Sequence, residues 1–140
     1  MIDLIPARPE MAARLTLHQG QAATGQFMTE TSVAVAIQRG MALAAVEGET
    51  LLGMAGLCER FDGCALAWAL LGEDFAPHKL SIFKLMKRAL DATPFARVEA
   101  YVVEGHEEGL ALLRHLGFVE EGIMRKLWQG RDHHLLARVR

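Results

Sequence analysis

The sequence predicts an α/β fold (α+β by another convention) in which a mixed sheet of six or seven strands is flanked by helices. Three observations predict it. Residues 41–73 hold three apolar runs broken by turn residues, the pattern of an antiparallel meander. An amphipathic segment, "HKLSIFKLMKRALDAT", then separates this meander from a further strand, "RVEAYVVEG". The chain closes with a helix, a Gly-Phe break and two strands. A helix between two strands needs a crossover, so residues 64–103 should set those strands parallel with the helix on one face.

Each element has a local reason. "MIDLIPARPE" starts as a short strand, which Pro6 and Pro9 end because proline lacks a ladder donor. Pro9 suits the first turn of a helix running through "EMAARLTLHQ". "GQAATGQFMTE" is polar and glycine-punctuated and reads as a loop. Thr31 or Ser32 would cap a helix over "VAVAIQRG", ended by Gly40; its Val-Ala alternation suits a strand as well. Glu47-Gly48-Glu49 and Asp62-Gly63 break the meander, and Asp-Gly is a strong hairpin signal. Pro77 opens the next helix, where Leu80, Phe83, Met86 and Leu90 share one face against Lys84, Lys87, Arg88 and Asp91. Pro94 stops it. A helix from about His106 to Leu116 brings Leu110, Leu113 and Leu116 into register, and Gly117 ends it. Strands near Ile123–Trp128 and His133–Val139 are joined by "QGRD".

Length and composition bound the function. At 140 residues the chain reads as one domain, 1–140, and its 51% apolar content is enough for a core. A net charge of −2 gives no bulk attraction to nucleic acid or anionic lipid. No apolar run approaches the roughly 20 residues of a membrane helix, and no basic segment precedes an apolar signal core. The expectation is an intracellular protein with Cys58 and Cys64 as free thiols beside a hairpin turn. The histidines suggest no metal site: His133 and His134 are adjacent on a strand and point to opposite faces. Arg125, Lys126 and Arg131 near Trp128 read as an exposed hairpin rather than a nucleic-acid site.

The element order, with "LLRHLGF" at the end of the last helix, resembles the GNAT superfamily of N-acyltransferases. As topology the resemblance covers nearly the whole chain; as sequence it is concentrated in residues 97–140. It implies a centrally splayed pair of parallel strands, "CALAWALLG" and "RVEAYVV", that would take acetyl-CoA, with an amine as acyl acceptor. The cofactor-side candidates it implies are Leu70 and Leu71 on the first strand and His78, Lys79, Leu80 and Ser81 at the helix start. Helix N-termini favour anions such as a pyrophosphate. Glu59 is the implied general base for the amine, and Glu73 a second choice.

Two departures accompany the resemblance. The family's loop before this helix is glycine-rich, yet here Leu80 and Ile82 fall at the glycine positions, and no glycine lies between Gly72 and Gly105. The family's usual tyrosine, which protonates the leaving thiolate, falls at Leu113, and its usual asparagine at His106. Trp68, Leu70, His78 and Leu116-Gly117-Phe118 are also similar to GNAT-like proteins of tailed phages, including internal virion proteins with degraded acetyltransferase motifs. That second resemblance implies a non-catalytic role among virion structural proteins. The two readings place the protein in the bacterial cytoplasm or in a virion.

Overall fold

The computed structural model describes residues 1–17 and 29–140. Seven strands form one sheet: β1 (Asp3–Pro6), β2 (Gly40–Glu47), β3 (Thr50–Phe61), β4 (Cys64–Leu71), β5 (Arg97–Val103), β6 (Val119–Trp128) and β7 (Arg131–Val139), in the order β1-β2-β3-β4-β5-β7-β6. Among the described residues three α-helices accompany it: α1 (Glu30–Gln38), α2 (Lys79–Ala92) and α3 (Glu107–His115). The mixed sheet and its flanking helices match the fold class the sequence predicts. No described helix is long and apolar enough to cross a membrane.

The Asp62-Gly63 hairpin forms as its residues dictate. Phe61 pairs with Cys64, and Gly63 takes φ +78°, a conformation that costs glycine little. Cys58 pairs with Leu66 rather than Cys64, and both thiols are free. Helix α1 resolves the helix-or-strand ambiguity. Its cap is Thr29, not Thr31 or Ser32; the Thr29 hydroxyl accepts from the Ser32 amide. Gly40 does not follow the helix as its stop but opens β2.

Three further boundaries differ from the expectations. The segment after Pro9 is a single 3-10 helix, Pro9–Arg14, because Met11 is its only buried side chain and Leu15 turns extended. The rest of that expected helix and the expected loop fall largely at 18–28, outside the described residues. A second 3-10 helix, Glu73–His78, precedes α2 where a loop was expected. Strand β6 starts at Val119, ahead of Ile123, because Phe118 is already buried and its neighbours pair at once with β7.

The core lies on both faces. On one, α1 (Val33, Ala36) and Met11 pack against Ala44, Met54, Trp68 and Leu70. On the other, Leu90 of α2 and Leu110 of α3 pack against Ala65, Val98, Ala100, Val102 and Leu136. Strand alternation sorts the residues: β5 buries Val98, Ala100 and Val102 toward α2 and α3, which leaves Tyr101 on the α1 face.

Candidate functional site, a cleft at the parted strands

Strands β4 and β5 run parallel but pair only at Cys64↔Arg97, Ala65↔Val98 and Leu66↔Glu99. Beyond that point they part. Each strand is held instead by its other neighbour. β4 pairs with β3 as far as Gly53↔Leu71, and β5 pairs with β7 as far as Val103↔His133. The tip of β4 is tied further: Gly72 donates to Leu52 (2.9 Å) and bridges Leu17, and the Glu73 amide donates to Thr16 (2.7 Å). The closed end of the wedge is pinned by Arg97, which bonds Glu99 (2.8 Å) and Glu121 (2.6 Å). Glu121 and Glu99 raise the Arg97 pKa, and Arg97 lowers that of Glu121.

The parting opens a cavity of about 1070 Å³. That is slightly above the roughly 300–1000 Å³ of pockets for drug-sized ligands, enough for an extended cofactor beside a second small molecule. Its wall is mostly apolar. Among the described lining residues Glu108 alone carries a carboxylate and Lys79 alone a permanent positive charge.

The polar groups on the wall fall in two places. On the α2 and α3 side are Lys79, His106, Glu108 and His115, with the apolar Leu113 among them; the His106 ring lies against Gly109, where a Cβ would sit 2.6 Å from the imidazole. On the α1 side are Thr31, Ser32, Cys58, Tyr101 and His133. The Arg60 guanidinium donates to the Tyr101 hydroxyl oxygen, which leaves the phenolic proton free to point elsewhere. His133 is 9% exposed, and its Nδ1 lies 3.0 Å from the Arg131 carbonyl. A carbonyl only accepts, so Nδ1 carries the proton and Nε2 keeps its lone pair. No described residue bonds Nε2. The β6 irregularity between Met124 and Trp128 bends the closing hairpin, and Leu127 and Trp128 reach the cavity wall.

Trp68 also lies on the α1 side. Its Nε1 is the one buried side-chain nitrogen or oxygen without a partner among the described residues. Such an orphan costs about 1–3 kcal/mol. The indole lies across β3, where a Cβ on Gly56 would sit 2.8 Å from its Cζ2. Glycine at position 56 is what makes room for the ring.

Of the residues expected at the cofactor side, Leu71, Lys79 and Leu80 line the cavity together. Leu70 is not with them: it is 1% exposed and faces the α1-side core. His78 pairs with Glu47 (3.5 Å), and Ser81 is exposed; neither lines the cavity. Glu59 lies in a shallow surface depression with Arg39, Arg60, Phe61 and Asp62, outside the cavity wall. Sequence reasoning passed over Tyr101 and His133 as site residues. Their position depends on the pairing of β5 with β7, a long-range fact, and the only sequence signal was that Tyr101 is the sole tyrosine.

No protein-family profile and no curated protein matches the sequence. Solved structures do match in shape. An "IAA acetyltransferase" from Bacillus cereus ATCC 14579 superposes with TM-score 0.77 at 18% identity, covering 100% of both chains. An acetyltransferase of the GNAT family from Streptococcus pneumoniae gives 0.74 at 16%, covering 99% of each. Spermidine N-acetyltransferase from Vibrio cholerae, solved with CoA and spermine, gives 0.76 at 13%, covering 99% of this chain and 95% of that one. With its parted central strands and full-length superposition, the chain has the GNAT acetyltransferase fold.

Proposed function

We propose that the protein is an acetyl-CoA-dependent N-acetyltransferase acting on an amine. One observation carries the reading: β4 and β5 part after three residue pairs and leave backbone edges facing an apolar cleft. Unpaired amides and carbonyls there can bond an amide-bearing arm such as pantetheine. The fit is good along that arm and poorer at the phosphate end. The 3-10 helix Glu73–His78 fills the place of a glycine loop, brings Glu73 and Asp74 near, and already uses the Lys79 amide on the Ala76 carbonyl. Among the described residues Lys79 is left as the one permanent cation on the wall.

Bound acetyl-CoA would supply an activated acetyl carbonyl. The chain's own groups handle the protons. His133 Nε2 accepts a proton from the amine, directly or through water. Tyr101 holds a donatable proton at its phenol oxygen, the role that Leu113 cannot fill. Among the described lining residues the other hydroxyls, Thr31 and Ser32, belong to α1, so Tyr101 is the hydroxyl on the parted strands. Glu59 remains the alternative base, with its carboxylate outside the cleft.

Isothermal titration with acetyl-CoA and with S-acetylpantetheine tests the reading. Saturable heat with either supports it. No heat with either at millimolar concentration would sink it and turn the reading to a non-catalytic protein on the same fold, such as the virion or assembly role implied by the phage resemblance. One observation leans that way: Leu80, in the first turn of α2, is 72% exposed where a phosphate cradle would lie.

A further inference from the structure

We infer that Arg60, at the hairpin end of β3, is the positioning residue of Tyr101: it holds the phenol oxygen from outside the cleft and leaves the phenolic proton for the cleft side; the inference rests on the acyl-transfer reading above. The first ground is register. The Asp62-Gly63 hairpin pairs Phe61 with Cys64, and the next pair is Glu59↔Ala65, so Arg60 is the extra residue of a β-bulge. A bulge leaves one residue outside the ladder and re-aims its side chain. The second ground is the choice of partner. Glu59 and Asp62 share a surface depression with Arg60, yet Arg60 pairs with neither. Its guanidinium reaches past β4 and donates to the Tyr101 hydroxyl, 41 residues away. The same guanidinium lies 5.8 Å from the centre of the Phe61 ring, within cation–π range, so it is held on a second side.

The third ground is chemistry. A guanidinium only donates, so the Tyr101 oxygen accepts from Arg60 and its own proton goes elsewhere. Tyr101 lines the cavity and Arg60 does not, which leaves the cleft side for that proton. In acyl transfer the amine nitrogen bonds the acetyl carbon, the C–S bond breaks, and its electron pair stays on sulfur. The phenolic proton goes to that sulfur. The phenolate left behind keeps its bond to Arg60 until a proton returns through solvent from His133. A cation bonds an anionic oxygen more strongly than a neutral one. The Arg60 bond therefore strengthens as the charge develops, and it contributes to kcat rather than to binding.

Two measurements on the full chain test this. Tyr101 is the sole tyrosine, so ¹³Cζ-tyrosine labelling gives one NMR signal. Arg60→Met should move it and Arg60→Lys should move it less. Arg39→Gln, at a second cation of the same depression, should leave it in place. A signal unmoved by Arg60→Met, or moved as far by Arg39→Gln, overturns the inference. This readout needs no acetyl transfer, so it stands even if the acetyl-CoA reading fails. In the second, thiol release from acetyl-CoA is followed with benzylamine and with spermidine as test acceptors. No release from the unaltered chain would count against the acyl-transfer reading, with the contact still decided by the ¹³C signal. Arg60→Met should lower kcat about tenfold and leave KM for acetyl-CoA within about twofold, and Arg60→Lys should recover most of the loss. In a Tyr101→Phe background Arg60→Met should change kcat by less than about twofold, because residues that act as a unit are not additive. The same loss in both backgrounds, or a loss confined to KM, overturns the assignment.

Discussion

Trp68 and Tyr101 would be neighbours if β4 and β5 stayed paired; instead they stand at corresponding positions on the two sides of the gap, two residues beyond the last pair, Leu66↔Glu99. One comes from the meander, the other from the strand after α2. Replacing Tyr101 by Phe keeps the ring and removes the proton. The expected result is a fall in kcat of about 10²-fold with acetyl-CoA affinity nearly unchanged. Steady-state kinetics beside calorimetry checks it, and equal losses in both would assign the hydroxyl to binding instead.

His133 and Glu59 make different predictions as base. His133→Gln should lower kcat/KM by about 10²-fold or more. Glu59→Gln should change it only severalfold, since Glu59 does not line the cleft. The reverse ranking would restore Glu59 as the base and leave His133 a structural group.

The phosphate end of the cofactor gives a third expectation. Without a glycine cradle, acetyl-CoA should bind no more than about tenfold tighter than S-acetylpantetheine, a difference of about 1.4 kcal/mol. A hundredfold advantage for acetyl-CoA would show that the start of α2 holds the pyrophosphate well despite Glu73 and Asp74.

Acid should loosen the sheet at a defined place. Arg97 holds the Glu121 pKa below its ordinary 4.5, and bonds from His134 and Arg114 do the same for Glu120. A carboxylate with a depressed folded pKa contributes stability that is fully present above the unfolded value and lost as pH falls through the folded one. The contribution from these pairs should therefore be present above about pH 4.5 and disappear below it. Glu121→Gln should flatten the acid side of the Tm-against-pH curve and leave neutral pH little changed, because the pair is partly exposed.

Packing offers a direct test. Leu136 is fully buried between β5 and the α2 and α3 side, so Leu136→Ala should cost about 2–5 kcal/mol in denaturant unfolding. At Gly56 an added methyl would meet the Met41 carbonyl at 2.5 Å as well as the indole. Gly56→Ala should cost about 1–3 kcal/mol and shift Trp68 fluorescence.

The sequence carried the local punctuation well. Asp62-Gly63 and Gly117 mark a turn and an end that the structure keeps, and the face through Phe83, Met86 and Leu90 marks α2; Pro77 instead lies inside the 3-10 helix Glu73–His78, with α2 starting at Lys79, and Leu80 is exposed rather than on the buried face. The Pro9 segment was less legible, since apolar spacing alone does not separate one 3-10 turn from a longer helix. Leu70 and Leu71 are instructive. Neighbours on a strand face opposite ways, so the two could not both line the cleft, and only the packing partners show which one does. Trp68, Tyr101 and His133 come to line one cavity through strand register across distant segments, and composition and spacing do not encode register.

The three pairs between β4 and β5 have a mechanical meaning. They are the only described ladder joining β1-β2-β3-β4 to β5-β7-β6, so the sheet is two panels hinged along a short seam. The panels should exchange amide hydrogens as separate cooperative units, with the seam opening first. A molecule bonded to both free edges would work as a clasp. Its binding should be read as slowed exchange along Ala67–Leu71 and Ala100–Val103 together, where two panels begin to behave as one.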